Sequence, residues 1–121
     1  MLAMPESAAN RLVNRTTGQT VAARAFVARS AWAQMIGLIG KRSDIEEALG
    51  LPGCAAVHTA GMRWALDVAF CDAAGRVLQV NAAVPPWRVA ARRRAVMAWE
   101  TRAGVLAARA RPGDVLVLET G

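Results

Sequence analysis

The strongest constraint on the fold of this chain is a six-residue alternation, Leu66-Asp67-Val68-Ala69-Phe70-Cys71, followed at once by Asp72-Ala73-Ala74-Gly75. Successive side chains on an extended strand point to opposite faces, so Leu66, Val68 and Phe70 share one face while Asp67, Ala69 and Cys71 share the other. The aliphatic face is predicted to be core, which leaves Asp67 on the face away from it. Asp-Ala-Ala-Gly carries the residues of a tight turn, and Arg76 to Val80 returns as a second strand. A hairpin in mid-chain commits the fold to a sheet.

Upstream, His58, Thr59, Gly61 and Arg63 fall within six residues that obey neither helical nor strand period. They read as a turn that delivers polar side chains to the start of the strand. Gly61 allows that turn to fold back tightly.

The rest of the chain supplies more strands. Leu12 to Arg15 and Thr20 to Val27 are β-prone segments separated by Thr16-Thr17-Gly18-Gln19, the pattern of a hairpin. Ser30 is placed to cap a helix from Ala31 to about Ile39, with Trp32, Met35, Ile36 and Ile39 on one apolar stripe and Gly40 ending it. Ser43 and Glu46 have capping-box spacing, which predicts a short helical turn to Leu49, and Gly50, Pro52 and Gly53 are expected to break the chain after it. Val84-Pro85-Pro86-Trp87-Arg88 must leave the sheet, because proline cannot donate to a ladder. Ala95 to Glu100 alternates again, Thr101 to Ala108 is expected to form a short helix under a threonine cap, and Arg111-Pro112-Gly113-Asp114 is a type II turn before a last strand, Val115 to Glu119.

The fold class these elements imply is mainly β, α+β by content: a small antiparallel β-barrel or sandwich with one helix and one or two short helical turns. Residues 1–10 are expected to be a loose tail and residues 11–121 a single β-rich domain, since 121 residues suffice for one core and not for two.

The run Cys54-x-x-Val57-His58-Thr59-x-Gly61-Met62-Arg63-x-x-Leu66-Asp67-Val68-x-Phe70, with its Asp72 to Gly75 turn, resembles the domain-of-unknown-function family 192, a group of small prokaryotic domains. The resemblance reaches back to Gly37-Leu38-Ile39-Gly40 and forward to Pro85-Pro86-Trp87-Arg88 and Pro112-Gly113-Asp114, covering the chain from about Arg11 onward. Trp64-Ala65-Leu66-Asp67 stands where relatives tend to show Phe-Pro-Ile-Asp, and Ala98 to Gly104 departs from the family's Leu-Glu-Leu-Pro-Ala-Gly. The resemblance implies the same β-rich barrel or sandwich.

Composition narrows the function. A hydrophobic fraction of 55% argues against disorder. No apolar run approaches the roughly 20 residues of a membrane span, and the opening MLAMPESAAN lacks the basic start and apolar stretch of a signal peptide, so the expected compartment is the cytoplasm, with no membrane partner. The formal charge of +6 would suit nucleic acid, but Lys41 is the only lysine among fifteen basic residues, a usage that a genome rich in G and C explains equally well. Two cysteines, Cys54 and Cys71, and one histidine make no zinc framework, and Gly37 to Gly40 ends a helix where a phosphate site needs glycine before one. No metal and no cofactor are expected.

The candidate polar patch comprises His58, Thr59, Arg63, Asp67 and Arg88, with Cys54 and Trp87 at its margins. Its expected role is to bind an unidentified small ligand or protein partner, with Arg63 and Arg88 suited to an anionic group. Two alternatives stand beside it. A hydrolase-like enzyme would use Cys54 or Thr59 as nucleophile with His58 and Asp67, and a nucleic-acid binder would use Arg92-Arg93-Arg94 with Trp87 as a stacking ring.

Overall fold

The computed structural model describes residues 10–27 and 47–120. Within them the chain forms strands β1 (Asn10–Asn14), β2 (Thr20–Ala22), β3 (Arg24–Val27), β4 (Glu47–Pro52), β5 (Ala56–His58), β6 (Leu66–Cys71), β7 (Val77–Val84), β8 (Val89–Ala91), β9 (Met97–Arg102) and β10 (Leu116–Thr120). They assemble into a three-stranded sheet, β10-β1-β2, a five-stranded sheet, β3-β4-β9-β6-β7, and a two-stranded ribbon, β5-β8. The mainly β class is as expected, and the pairings are antiparallel except for β3 with β4, which run parallel. The sheets do not close into a barrel.

β6 lies inside the large sheet, hydrogen-bonded to β9 on one side and β7 on the other, and all six of its residues are buried. Its two faces feed two separate cores. Leu66, Val68 and Phe70 pack with Leu49, Leu51, Val57, Met62 and Ala98. Ala69 and Cys71 pack with Leu12, Val21, Trp99, Leu106 and Leu116. The strand phase is as expected, but the second face is not open to solvent, because loops and the small sheet cover it.

Among the described residues there is no helix. The helix expected over 31–39, the capping box at 43–46 and residues 1–9 of the tail expected over 1–10 lie outside the described residues, while Asn10 opens β1 opposite Thr120. Residues 47–49 do not complete a helical turn: they open β4, where Ala48 and Leu49 pair with Ala25 and Phe26. Nor does Gly50 break the chain. It sits within β4 because the Trp99 indole crosses it so closely that a Cβ there would stand 2.7 Å from the ring. The helix expected from Thr101 to Ala108 is also absent. Thr101 and Arg102 continue β9 against Asp67 and Leu66, and turns come after them. Two side chains take the amides a helix would have used: Thr101 Oγ1 accepts from Leu106 N at 3.1 Å, and Asp67 accepts from Gly104 and Ala107.

The turns came closer to expectation. Asp72 Oδ1 accepts from the amides of Ala74 and Arg76, both at 2.9 Å, and Gly75 takes the positive φ of 86° that the turn demands. The Arg111 carbonyl accepts from Asp114 N at 3.0 Å across the Pro-Gly turn. Thr20 to Val27 is not one strand, however; it divides at Ala23 and serves two sheets. No helix among the described residues is long and apolar enough to cross a membrane.

Candidate functional site

Val57 is the only apolar residue of β5 that turns inward, and Ala90 is its partner on β8; both are buried in the first core. Period-two alternation therefore turns the neighbouring pairs outward, His58 opposite Val89 and Ala56 opposite Ala91, and all four are exposed. The segment around His58, expected as a turn, is thus a strand up to His58 and a turn only from Thr59.

Thr59 anchors that turn. It is fully buried, and its hydroxyl donates to the Pro85 carbonyl at 2.6 Å while accepting from Arg88 N at 2.9 Å. Its amide donates to the Arg88 carbonyl at 2.9 Å, and its carbonyl accepts from both Met62 N and Trp87 N at 3.1 Å. One residue so binds the turn that leads to Arg63 and the proline loop that carries Arg88. Thr59 is a structural tie rather than a surface group.

The tie holds Trp87 at φ 64°, a left-handed conformation that bulky residues avoid, with its side chain 70% exposed. Val89 beside it is 72% exposed. Arg63 and Arg88 are exposed on the two segments that Thr59 joins. At the far end of β8, Arg92, Arg93 and Arg94 are exposed around an open groove of about 410 Å³ that they line with Ala91. Their turn is fixed by Arg92 N donating to the Ala55 carbonyl at 2.8 Å, and Arg94 takes a φ of 71°.

None of these arginines has an ion-pair partner among the described residues. Glu119 pairs with Arg11 at 3.3 Å and Glu47 with Arg24 at 3.4 Å. Asp72 holds its own turn, and Asp114 accepts from Asn14 Nδ2 at 2.8 Å and Arg111 N at 3.0 Å.

Asp67 does not join the patch. It is fully buried, Oδ1 accepting from Ala83 N at 2.8 Å and Oδ2 from Gly104 N at 2.9 Å and Ala107 N at 2.8 Å. The carboxylate binds the end of β7 and the loop after β9 to β6. The shared concave patch expected for His58, Arg63 and Asp67 therefore lacks Asp67, while His58, Arg63 and Arg88 are each exposed.

The hydrolase constellation is not assembled either. Thr59 and Asp67 are committed to backbone groups, and burial, then the charge of Glu100, pushes the half-buried Cys54 thiol up, away from the thiolate that a nucleophile needs. Burial, with a smaller contribution from Asp72, pushes Cys71 up to about 12. Among the described residues no three His, Cys, Asp or Glu side chains group as metal ligands.

One notable group escaped sequence reasoning. Glu100 lies on β9 between Leu49 and Val68, fully buried, and neither carboxyl oxygen has a hydrogen-bond partner. Burial pushes it up to about 8, so it is mostly protonated at neutral pH. The alternation from Ala95 to Glu100 put it on the face of Ala98, which was the available signal. Two residues on, the Arg102 guanidinium lies 4.8 Å from the centre of the Trp64 ring.

The sequence model of DUF192, described as uncharacterised ACR, matches residues 12–118. No curated protein matches the chain. Among solved structures, a protein of unknown function from Novosphingobium aromaticivorans DSM 12444 is similar with a TM-score of 0.66 and 18% identity, over 89% of this chain and 82% of that one. A candidate transcription regulator from Sinorhizobium meliloti 1021 is similar with a TM-score of 0.59 and 19% identity, over 89% of this chain and 90% of that one. At these identities the likeness is one of fold.

Proposed function

This chain belongs to the DUF192 family, and from that premise we propose that it is a binding domain that uses the outer face of the β5–β8 ribbon, with His58, Arg63 and Arg88, to hold an anionic partner. The observation that carries the proposal is the segregation of charge. Among the described residues, Arg63, Arg88, Arg92, Arg93 and Arg94 flank the ribbon in sequence and are exposed, while the acids at 47, 67, 72, 100, 114 and 119 are paired, capped or buried elsewhere. Exposed guanidinium groups without an ion-pair partner bind carboxylate or phosphate through paired N–H donors. Strain at Trp87 supports the same face, because a costly backbone conformation persists only where the surroundings over-determine it, and such positions cluster at binding sites.

The test is the salt concentration that elutes the protein from a phosphocellulose column. Arg63→Ala with Arg88→Ala should elute much earlier than Arg15→Ala with Arg76→Ala, a control of equal net charge drawn from exposed arginines elsewhere. Equal elution of the two double variants would reduce the retention to net charge and remove the face.

A further inference from the structure

We infer that the anionic partner of the β5–β8 face is a single-stranded nucleic acid; the inference rests on the binding role proposed above and adds the class of partner. It begins from shape. The arginines flank an exposed ribbon and an open groove, whereas a small metabolite is ordinarily enclosed in a cleft that covers most of its surface. An open face suits a polymer that lies across it.

The second observation is the ring. A purely electrostatic contact with an acidic protein has no use for an indole that is 70% exposed, yet the chain spends a left-handed backbone conformation on presenting one. Thr59 fastens that conformation through Trp87 N and on both sides of Arg88, so the ring stands on a rigid base. A rigid exposed ring is a stacking platform for an unpaired base, whose π face is hidden in a duplex. Val89, exposed beside it, extends the apolar step.

The third observation is the order of groups along the ribbon. Arg88 comes directly after the ring, β8 then runs extended from Val89 to Ala91, and Arg92 to Arg94 come next. Extended backbone separates Arg88 from Arg92 by on the order of 10 Å. That spacing places phosphate-neutralising groups both beside the stacked base and further along the strand. Every base has a π face and every phosphate a charge, so the mode predicts little sequence preference and strong salt dependence.

The experiment measures binding of a fluorescein-labelled twelve-residue oligothymidylate to the intact chain by anisotropy over a series of salt concentrations. The same oligonucleotide annealed to its complement, polyglutamate of matched charge and phosphatidylserine vesicles serve as comparison probes. The expected result is preference for the single strand, with log K falling against log salt by roughly 0.7 for each phosphate neutralised. Trp87→Gly should weaken binding by about five-fold or more, the lower end for loss of a stacked base. Its melting temperature should not fall, because glycine accepts the positive φ without strain. Arg93→Ala should flatten the salt slope and leave melting unchanged. Equal binding of duplex and single strand, or equal binding of polyglutamate or vesicles with Trp87→Gly indistinguishable from the parent, would overturn the nucleic-acid inference and leave the anion-binding role intact. Failure of all four probes to bind would overturn both.

Discussion

Thr59 and Arg88 hold each other in both directions: the Thr59 amide donates to the Arg88 carbonyl at 2.9 Å, and the Arg88 amide donates back to the Thr59 hydroxyl at 2.9 Å. The pair joins two segments 29 residues apart and seals the end of the β5–β8 ribbon. Thr59→Val preserves shape and removes the hydroxyl, leaving the Arg88 amide and the Pro85 carbonyl without that partner. The expected cost is about 1–3 kcal/mol, read by urea denaturation. Protease sensitivity should rise at the Pro85–Arg88 loop ahead of global unfolding; an unchanged cleavage pattern would show that the prolines alone hold the loop.

Asp67 carries the second prediction. Its carboxylate receives three backbone amides from two segments, so Asp67→Asn replaces one acceptor oxygen by a donor that faces other donors. A loss of about 3 kcal/mol is expected from the charge-assisted bonds and the amides left unsatisfied. His58→Ala, on an exposed face, should cost far less. Matching losses in the two variants would restore the idea that both residues belong to one network.

Glu100 makes stability depend on pH. Its carboxyl stands at about 8 in the fold against an ordinary value of 4.5, so between those values the folded state retains a proton that the unfolded chain releases. The contribution of Glu100 to stability is therefore greatest below about 4.5, falls as pH rises, and levels off above about 8. At about 1.4 kcal/mol for each pH unit the loss by pH 7 is on the order of 3 kcal/mol. Glu100→Gln should flatten this trend, which denaturation at pH 5, 7 and 8.5 would reveal as a gap between the proteins that widens with pH. Parallel curves would mean that the carboxyl titrates normally.

Phe70 and Arg93 set the scale for core and surface. Phe70 is fully buried in the first core, and Phe70→Ala should cost about 3–5 kcal/mol. Arg93 is exposed at the groove, and Arg93→Ala should change stability by no more than about 0.5 kcal/mol. Thermal melting of both variants checks the pair.

The parts of the fold that were legible in the sequence are those set by local geometry. Alternation fixed the phase of β6, and Asp72 to Gly75 and Arg111 to Asp114 carry turn residues whose preferences act within four positions. Where distant contacts decide, local reading failed. Thr101 has the look of a helix cap, but it stays in the strand pairing to Asp67, and the amides after it go to the Asp67 carboxylate across the sheet and to its own hydroxyl. Gly50 has the look of a break, and only the indole of Trp99 explains why a strand needs a glycine there. The site divides the same way. His58, Arg63 and Arg88 were visible as polar residues next to strand ends and are each exposed, whereas the burial of Asp67 depends on what covers the second face of the sheet and that of Thr59 on the proline loop bonded to it, neither of which any spacing in the sequence encodes.

The outer edge of β7 bears on how this protein behaves when concentrated. A straight exposed edge offers a row of amides and carbonyls on which a further strand can grow. β7 is kept from serving as such a template by two irregularities in its register with β6, near Leu66 and near Cys71, by the positive φ of Ala83, and by Pro85 and Pro86 directly beyond its end. Gln79 adds a side-chain bond from this strand to the Ala91 carbonyl at 3.1 Å, occupying space that an incoming strand would need. Straightening this border, by replacing the two prolines and relaxing Ala83 to an extended conformation, would turn a self-limiting sheet into one that recruits its neighbours.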